Sequence, residues 1–299
     1  MWLIFAFISA ALLGMYEVFK KMALNGNAVI PVLFLNTVFC SLLFLPAILL
    51  SRFAPDVIAD TLFYVPRADL VTHLYIILKA VIVLSSWVFA YFAMKHLPIT
   101  IAGTIKASQP VLTLLGALLI FGERLNLYQW IGVIVSIISF FLLSSAGKKE
   151  GIRFSHDKWI YFIILATITG ALSGLYDKYL MSHGFDRMVV QVWYTYYQMV
   201  IMAGILYIWY KRRSETTPYQ WRWSIFFISL FLVAADFIYF YALSFPDSMI
   251  SLVSMARRSG VVVSFIFGAL FFHEKNIRSK TIDLLLVLIG MYFLYLGTR

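Results

Sequence analysis

The sequence predicts an all-α integral membrane protein: ten transmembrane helices arranged as two inverted five-helix repeats. Three observations lead there. Hydrophobic residues make up 62% of the chain and charged residues 13%, against roughly half and a quarter in a soluble domain. The apolar residues fall in runs of about 20, the length that crosses a hydrocarbon core at helical rise. The features of the first five runs recur in the last five. Five is odd, so two such units joined without an extra span face opposite ways in a bilayer. Inverted repeats build alternating-access carriers, with the site near the midplane where the repeats meet.

The ten runs follow in order. Trp2–Phe19 opens the chain, and Lys20-Lys21 follow it. It lacks a basic stretch in front and a small-residue cleavage site, so it reads as a retained helix rather than a signal peptide. Ala28–Leu50 is the second. The break after it, Ser51–Leu70, is the longest, and its Phe53, Val57, Ile58, Leu62, Phe63 and Tyr64 suggest a short amphipathic helix on the membrane surface. Val71–Met94, Ile99–Phe121 and Leu127–Ala146 complete the first repeat. Trp159–Tyr176, Met188–Tyr210, Trp221–Leu243, Ser248–Phe272 and Ile282–Gly297 form the second. The repeats divide the chain at 1–147 and 148–299. A β-barrel is excluded, because its strands are short and alternate apolar with polar residues. No loop is long enough to hold a large soluble domain.

The net charge of +10 does not point to nucleic acid. Its basic residues lie mostly in loops and at helix ends, where they snorkel and orient a membrane protein. One side would carry Lys20, Lys21, Lys95, Lys148, Lys149, Arg212 and Arg213 among others; the opposite side carries fewer, including Arg52, Arg67 and Arg124. The positive-inside rule then leaves both termini outside. The single cysteine, Cys40, lies within an apolar run and allows no intramolecular disulfide. His73, His96, His156, His183 and His273 are scattered without metal-ligand spacing, and no Gly-rich phosphate loop is present. The sequence therefore predicts no enzyme, no cofactor and no ATP-driven pump.

The repeat rests on named residues. Gly122-Glu123-Arg124-Leu125 ends the fourth run and His273-Glu274-Lys275 ends the ninth. Phe89-Ala90-Tyr91-Phe92-Ala93-Met94 corresponds to Ile238-Tyr239-Phe240-Tyr241-Ala242-Leu243, and Gly14-Met15-Tyr16-Glu17 to Gly174-Leu175-Tyr176-Asp177. Pro98 follows the third run, Gln109-Pro110 sits in the fourth, and Gln129-Trp130-Ile131-Gly132 follows the Gly-Glu-Arg-Leu. In order and spacing these residues resemble the ten-helix, EamA-like branch of the drug/metabolite transporter superfamily, over nearly the whole chain. The resemblance implies a carrier of small metabolites, often an exporter of amino acids or related solutes, in a bacterial inner (plasma) membrane. It also implies cytoplasmic termini, against the loop charges, so the sequence leaves orientation open. Helices 1, 3, 4, 6, 8 and 9 would surround the cavity, with 2 and 7 outside and 5 and 10 bracing the halves. Three departures stand out. Asn36 occupies the second helix where relatives often carry Arg. Pro110 has no counterpart in the ninth run, where Val261 follows Gly260. The second repeat is three residues longer between its Pro and Glu, Pro246 to Glu274 against Pro98 to Glu123.

Charges deep in a bilayer are costly and face a cavity or a partner, so the candidate list is short. Asp236 sits mid-way along the eighth run and Arg257-Arg258 mid-way along the ninth. Lys106 lies about 10 Å into the fourth at helical rise, and Lys79 at a similar depth in the third. Lys106 aligns with Arg257, so both direct a cation between the repeats. They would hold a carboxylate or phosphate, with Arg257 able to grip it bidentately. The competing reading is an internal ion pair of Asp236 with Arg257 or Arg258. Lys79 reads as a snorkelling lysine. Glu17 and Asp177 are symmetric candidates for proton coupling; equally, Glu17 pairs with Lys21 at i,i+4 and Asp177 neighbours Lys178. Trp87, Tyr91, Tyr239 and Tyr241 suggest an aromatic wall. Gln109 and Gln198 are mid-membrane amides that bind solute or bond across helices. Pro110 frees the Lys106 carbonyl and kinks the fourth helix at this level.

The expected function is secondary-active transport of a small polar metabolite, a carboxylate or zwitterion, by alternating access. Its partners are the solute, the lipid bilayer and protons as coupling ion. Arg257, Lys106, Asp236, Gln109, Trp87, Tyr91 and Tyr239 would bind solute, and Glu17 and Asp177 would couple protons. A proton-coupled multidrug exporter of aromatic cations and a non-transporting scaffold are the alternatives.

Overall fold

The computed structural model describes residues 2–121, 156–211, 217–243, 259–272 and 277–297, with 126–128, 130–132, 134–135, 138–139, 142, 245, 253 and 256–257. Among them the chain is predominantly helical and forms no strand. Among the described residues five helices are long and apolar enough to cross a membrane: Val29–Phe53, Leu70–His96, Lys158–Ser182, Arg187–Lys211 and, as far as Ala242, the helix from Ser224. They are the second, third, sixth, seventh and eighth of the runs. The first run forms Trp2–Leu24 and the tenth Ile277–Leu296. The fourth is two helices, Ile99–Ala107 and Gln109–Phe121, and Val261–Leu270 belongs to the ninth. The Gly122–Leu125 and His273–Lys275 motifs, Pro246 and half of the fifth run lie outside the described residues.

Helix ends repeat between the halves. Trp2–Leu24 stops before Gly26, whose φ of 62° is left-handed, and Lys158–Ser182 stops before Gly184 at 77°. Glycine enters that region without a Cβ penalty, which ends a helix cleanly. An Asx residue follows each glycine. Asn27 Oδ1 accepts from Ala28 N at 2.9 Å, and Asp186 Oδ1 from Val189 N at 2.9 Å. Asn27 also binds the backbone of Gln220, tying the first turn to the approach to the eighth helix.

Packing runs chiefly between the halves. Trp2–Leu24 lies along Ser224–Leu243, and Leu70–His96 lies along Lys158–Ser182. These are symmetry-related pairs, first with eighth and third with sixth. Each is closed by a serine: Ser9 Oγ donates to Ala235 O at 2.7 Å, and Ser86 Oγ to Ala166 O at 2.8 Å. Val29–Phe53 packs on Arg187–Lys211 and also on Ser224–Leu243, while Arg187–Lys211 packs on Leu70–His96. The second and seventh helices, expected outside the ring, are thus buried against each other, and Tyr194 of the seventh reaches the interior.

Polarity is turned inside out, as lipid requires. Leu74, Leu78 and Val81 on the third helix, and Leu165, Ile168 and Leu172 on the sixth, are exposed at helical spacing. Glu17, Lys20, Lys79, Asp177 and Asp236 are buried. The expected surface helix after the second run shrinks to four residues, Pro55–Ile58. Pro55 starts it and Asp60 and Thr61 follow in turns, too little chain for an amphipathic face.

Candidate functional site

The site grows from a break in the fourth helix that the ninth copies. Ser108 forms a tight turn between Ala107 and Gln109, its N–H bonding the Ile105 carbonyl three residues back at 3.1 Å. Ser259 does the same to Ala256 at 3.0 Å. Both hydroxyls donate to the carbonyl three residues back, at 2.6 Å. Proline at position 110 disfavours a continuous helix there. The ninth lacks that proline, so the serine and the following Gly260 make the same turn. Sequence reasoning saw an asymmetry; the missed signal was the serine shared by both repeats.

Gly260 lets two backbones meet. A Cβ there would stand 2.2 Å from the Ala10 carbonyl oxygen, and one on Gly14 would stand 2.6 Å from the Gly260 oxygen. The first and ninth helices are in backbone contact. The matching seam between fourth and sixth is filled differently: the Gln109 side chain lies on Gly170, and Gly174 has open space beside it.

That opening is part of a cavity of about 110 Å³ between the halves. It has room for on the order of ten waters. Glu17, Lys79, Lys106, Asp177, Asp236 and Arg257 line it, together with the aromatics Tyr16, Trp87, Tyr194, Tyr239 and Phe240. The charges meet as ion pairs: Glu17 with Lys106, Asp177 with Lys79, and Asp236 with Arg257. Lys20 takes the second oxygen of Glu17. Tyr194 donates its hydroxyl to Asp236 Oδ2 at 2.7 Å. The Arg257 guanidinium lies 4.2 Å from the centre of the Tyr239 ring, and Lys79 lies 4.9 Å from that of Tyr194. Aromatic faces and carboxylates together make these cations tolerable away from bulk water. The Arg257 Nε is buried and has no acceptor among the described residues. A smaller cavity of about 30 Å³ adjoins, lined by Gly14, Gly103, Gly260 and Ser264; Leu13, Glu17, Lys106 and Arg257 face both spaces.

This arrangement holds a small solute among fixed charges and flat rings. It offers cations, carboxylates, the Gln109 amide and the hydroxyls of Ser86 and Ser173. Among the described residues no cluster of His, Cys, Asp or Glu is built to hold a metal.

The EamA-like transporter family matches residues 1–145 and again 157–296. The chain belongs to the EamA-like transporter family. Among its relatives is an uncharacterized transporter of Archaeoglobus fulgidus, 25% identical over 246 residues, spanning 81% of this chain and 79% of that one. A crystal structure described only as that of a protein superposes with a TM-score of 0.68, covering 99% of this chain and 98% of that one. At 14% identity it attests the fold alone. This EamA-like chain is a multi-pass integral membrane protein with a two-repeat helical architecture, and it is a transporter.

Within that frame the structure sorts the sequence candidates. Arg257, Lys106, Asp236, Gln109, Trp87, Tyr239, Glu17 and Asp177 all line the larger cavity. Tyr91 does not. It is fully buried, with the Lys20 ammonium 5.3 Å from the centre of its ring. Residues four apart on a helix differ by about 40° and a full turn in height, which suffices to drop Tyr91 below the cavity. Lys21 does not pair with Glu17; its ammonium reaches the carbonyls of Met94 at 2.8 Å and Leu97 at 2.6 Å. Lys79 does not snorkel but closes on Asp177 across the repeats. Tyr241 packs on Phe5 instead of facing the cavity. Gln198 is buried on the seventh helix away from it. Arg258 lies outside the described residues.

Two contributors were missed. Lys20 read as a helix-end charge because the apolar run stops at Phe19, yet the helix continues to Leu24 and leaves Lys20 with 0% exposure. Its i,i+3 spacing from Glu17 was the available signal. Tyr194 carries no sequence signal beyond its place in an apolar run.

Proposed function

We propose that this transporter is a secondary-active carrier of a small polar metabolite bearing a carboxylate, as an anion or zwitterion. It works by alternating access around the cavity between the repeats, taken as 1–147 and 148–299 with opposite membrane orientations. The observation that carries the reading is the cavity itself: three ion pairs, set among aromatic rings, at the meeting of the halves. Lys106 and Arg257 receive the carboxylate, Arg257 through its unpartnered Nε. Asp236 and Asp177 receive an amine where the solute has one. Trp87 and Tyr239 bound its apolar part, and Gln109 orients it from the fourth helix. Glu17 and Asp177 are the groups that would carry a coupling proton, at a step of the cycle separate from solute docking. Transport is export across a bacterial inner membrane, driven by a proton gradient or the solute's own gradient, and no bond of the solute is broken.

Export of aromatic cations is less favoured, because each cavity carboxylate already holds a cation. The test is untargeted metabolite profiling of cells and medium, with wild type beside equally expressed Arg257→Ala. A carboxylate-bearing solute redistributed by wild type alone supports the reading. Equal redistribution by both removes Arg257 from the site.

A further inference from the structure

The cavity's charges do not balance. Among the described residues four cations, Lys20, Lys79, Lys106 and Arg257, meet three carboxylates, Glu17, Asp177 and Asp236. The surplus lies at one end, where Lys20 and Lys106 share Glu17. Lys20 is fully buried and is not part of either cavity's lining. It faces Glu17 and Tyr16 on its own helix and Tyr91 on the third. Solute therefore reaches Lys106 and Glu17, and Lys20 acts only through Glu17.

Resting on the carrier reading above, we propose that the solute carries one net negative charge, and that it docks by taking Glu17's place on Lys106 while Lys20 keeps Glu17 paired. A buried ion pair that opens normally strands a charge, and stranding is what makes opening costly. Among the described residues Asp177 has Lys79 alone at ion-pair distance, and Asp236 without Arg257 keeps a neutral tyrosine hydroxyl. Among the described residues only Glu17 holds a second cation in reserve. So Glu17–Lys106 is the pair that opens at least cost, and an incoming carboxylate completes a set of four cations and four anions. No proton or covalent bond changes hands in this exchange. Lys20 is a positioning residue, and the solute's charge is set by the surplus it leaves. Both members of this pair line the larger cavity and the smaller one.

The test uses the full chain in detergent and three probes of similar size: L-glutamate, L-glutamine and L-lysine, with net charges of minus one, zero and plus one. Half-stabilising concentrations are read by thermal unfolding at fixed ionic strength. Wild type is expected to prefer L-glutamate over L-glutamine by about tenfold or more, a lower bound for one uncompensated buried charge. Lys20→Met removes the surplus, and the preference collapses to about twofold or less; Lys20→Arg restores it. Glu17→Gln/Lys20→Met removes one charge of each sign, keeps the surplus on Lys106, and keeps the preference. This double variant leaves no stranded carboxylate, so it reports even where Lys20→Met folds poorly, and a purely structural lysine would not give this pattern. No preference for L-glutamate in wild type, or loss of preference in the double variant, overturns the proposal. The carrier reading is judged separately, by the flux difference between wild type and Arg257→Ala.

Discussion

Replacing Gly260 by alanine separates the first helix from the ninth. A Cβ at this position would stand 2.2 Å from the Ala10 carbonyl oxygen and 3.2 Å from the Gly14 nitrogen, against about 3.5 Å at ordinary contact. The first overlap exceeds an ångström, and the atoms on the other side are backbone, so no rotamer change relieves it. The two helices must part along the seam that also carries Gly14 and Val263. Overpacking of this kind costs typically 1–3 kcal/mol, and here the rigid partners put it near about 3 kcal/mol. Thermal unfolding of purified protein should fall by roughly 5–10 °C. Gly174→Ala is the matched control, since its Cβ has nothing within 4 Å; it should leave stability unchanged or raised by about 0.5 kcal/mol. An unfolding temperature for Gly260→Ala within about 1 °C of wild type would refute the close approach.

Three further outcomes are expected. Lys79→Met and Asp177→Asn each strand a buried charge and should cost about 3–5 kcal/mol, while the double variant recovers most of that loss, measured as coupling in a double-mutant cycle. Gly170→Ala presses only on the Gln109 side chain, at 2.9 Å from its Oε1; because that chain can swing, stability should change by less than about 1 kcal/mol while solute affinity falls, read by unfolding and flux together. Tyr194→Phe removes the hydroxyl held by Asp236 and should cost about 1.5–3 kcal/mol, the worth of a hydrogen bond to a charged group, measured by the same unfolding assay.

The helices were legible because lipid forces apolar runs of a fixed length. The repeat was legible because Gly14 and Gly174, Lys106 and Arg257 keep their order. The identity of the cavity charges was legible too, since charges inside apolar runs are few and costly. Their pairing was not. Whether Glu17 meets Lys20, Lys21 or Lys106 depends on where the helix ends and how the fourth helix crosses it, and hydropathy stops at Phe19 while hydrogen bonding runs on to Leu24. The break in the ninth helix was hidden because proline was the only breaker sought, whereas Ser259 with Gly260 turns the chain equally well. Tyr91 was misplaced because a shared helix face in sequence says nothing of depth.

The central claim is that solute binds in the cavity between the repeats. Gly174 lines that cavity with open space at its Cβ position, so Gly174→Cys places a thiol there without a clash. With the buried Cys40 replaced by alanine, a small water-soluble thiol reagent should modify this cysteine in reconstituted vesicles. Saturating the solute identified by profiling should slow that modification several-fold. Equal rates with and without saturating solute, while transport persists, would place the solute elsewhere and contradict the account.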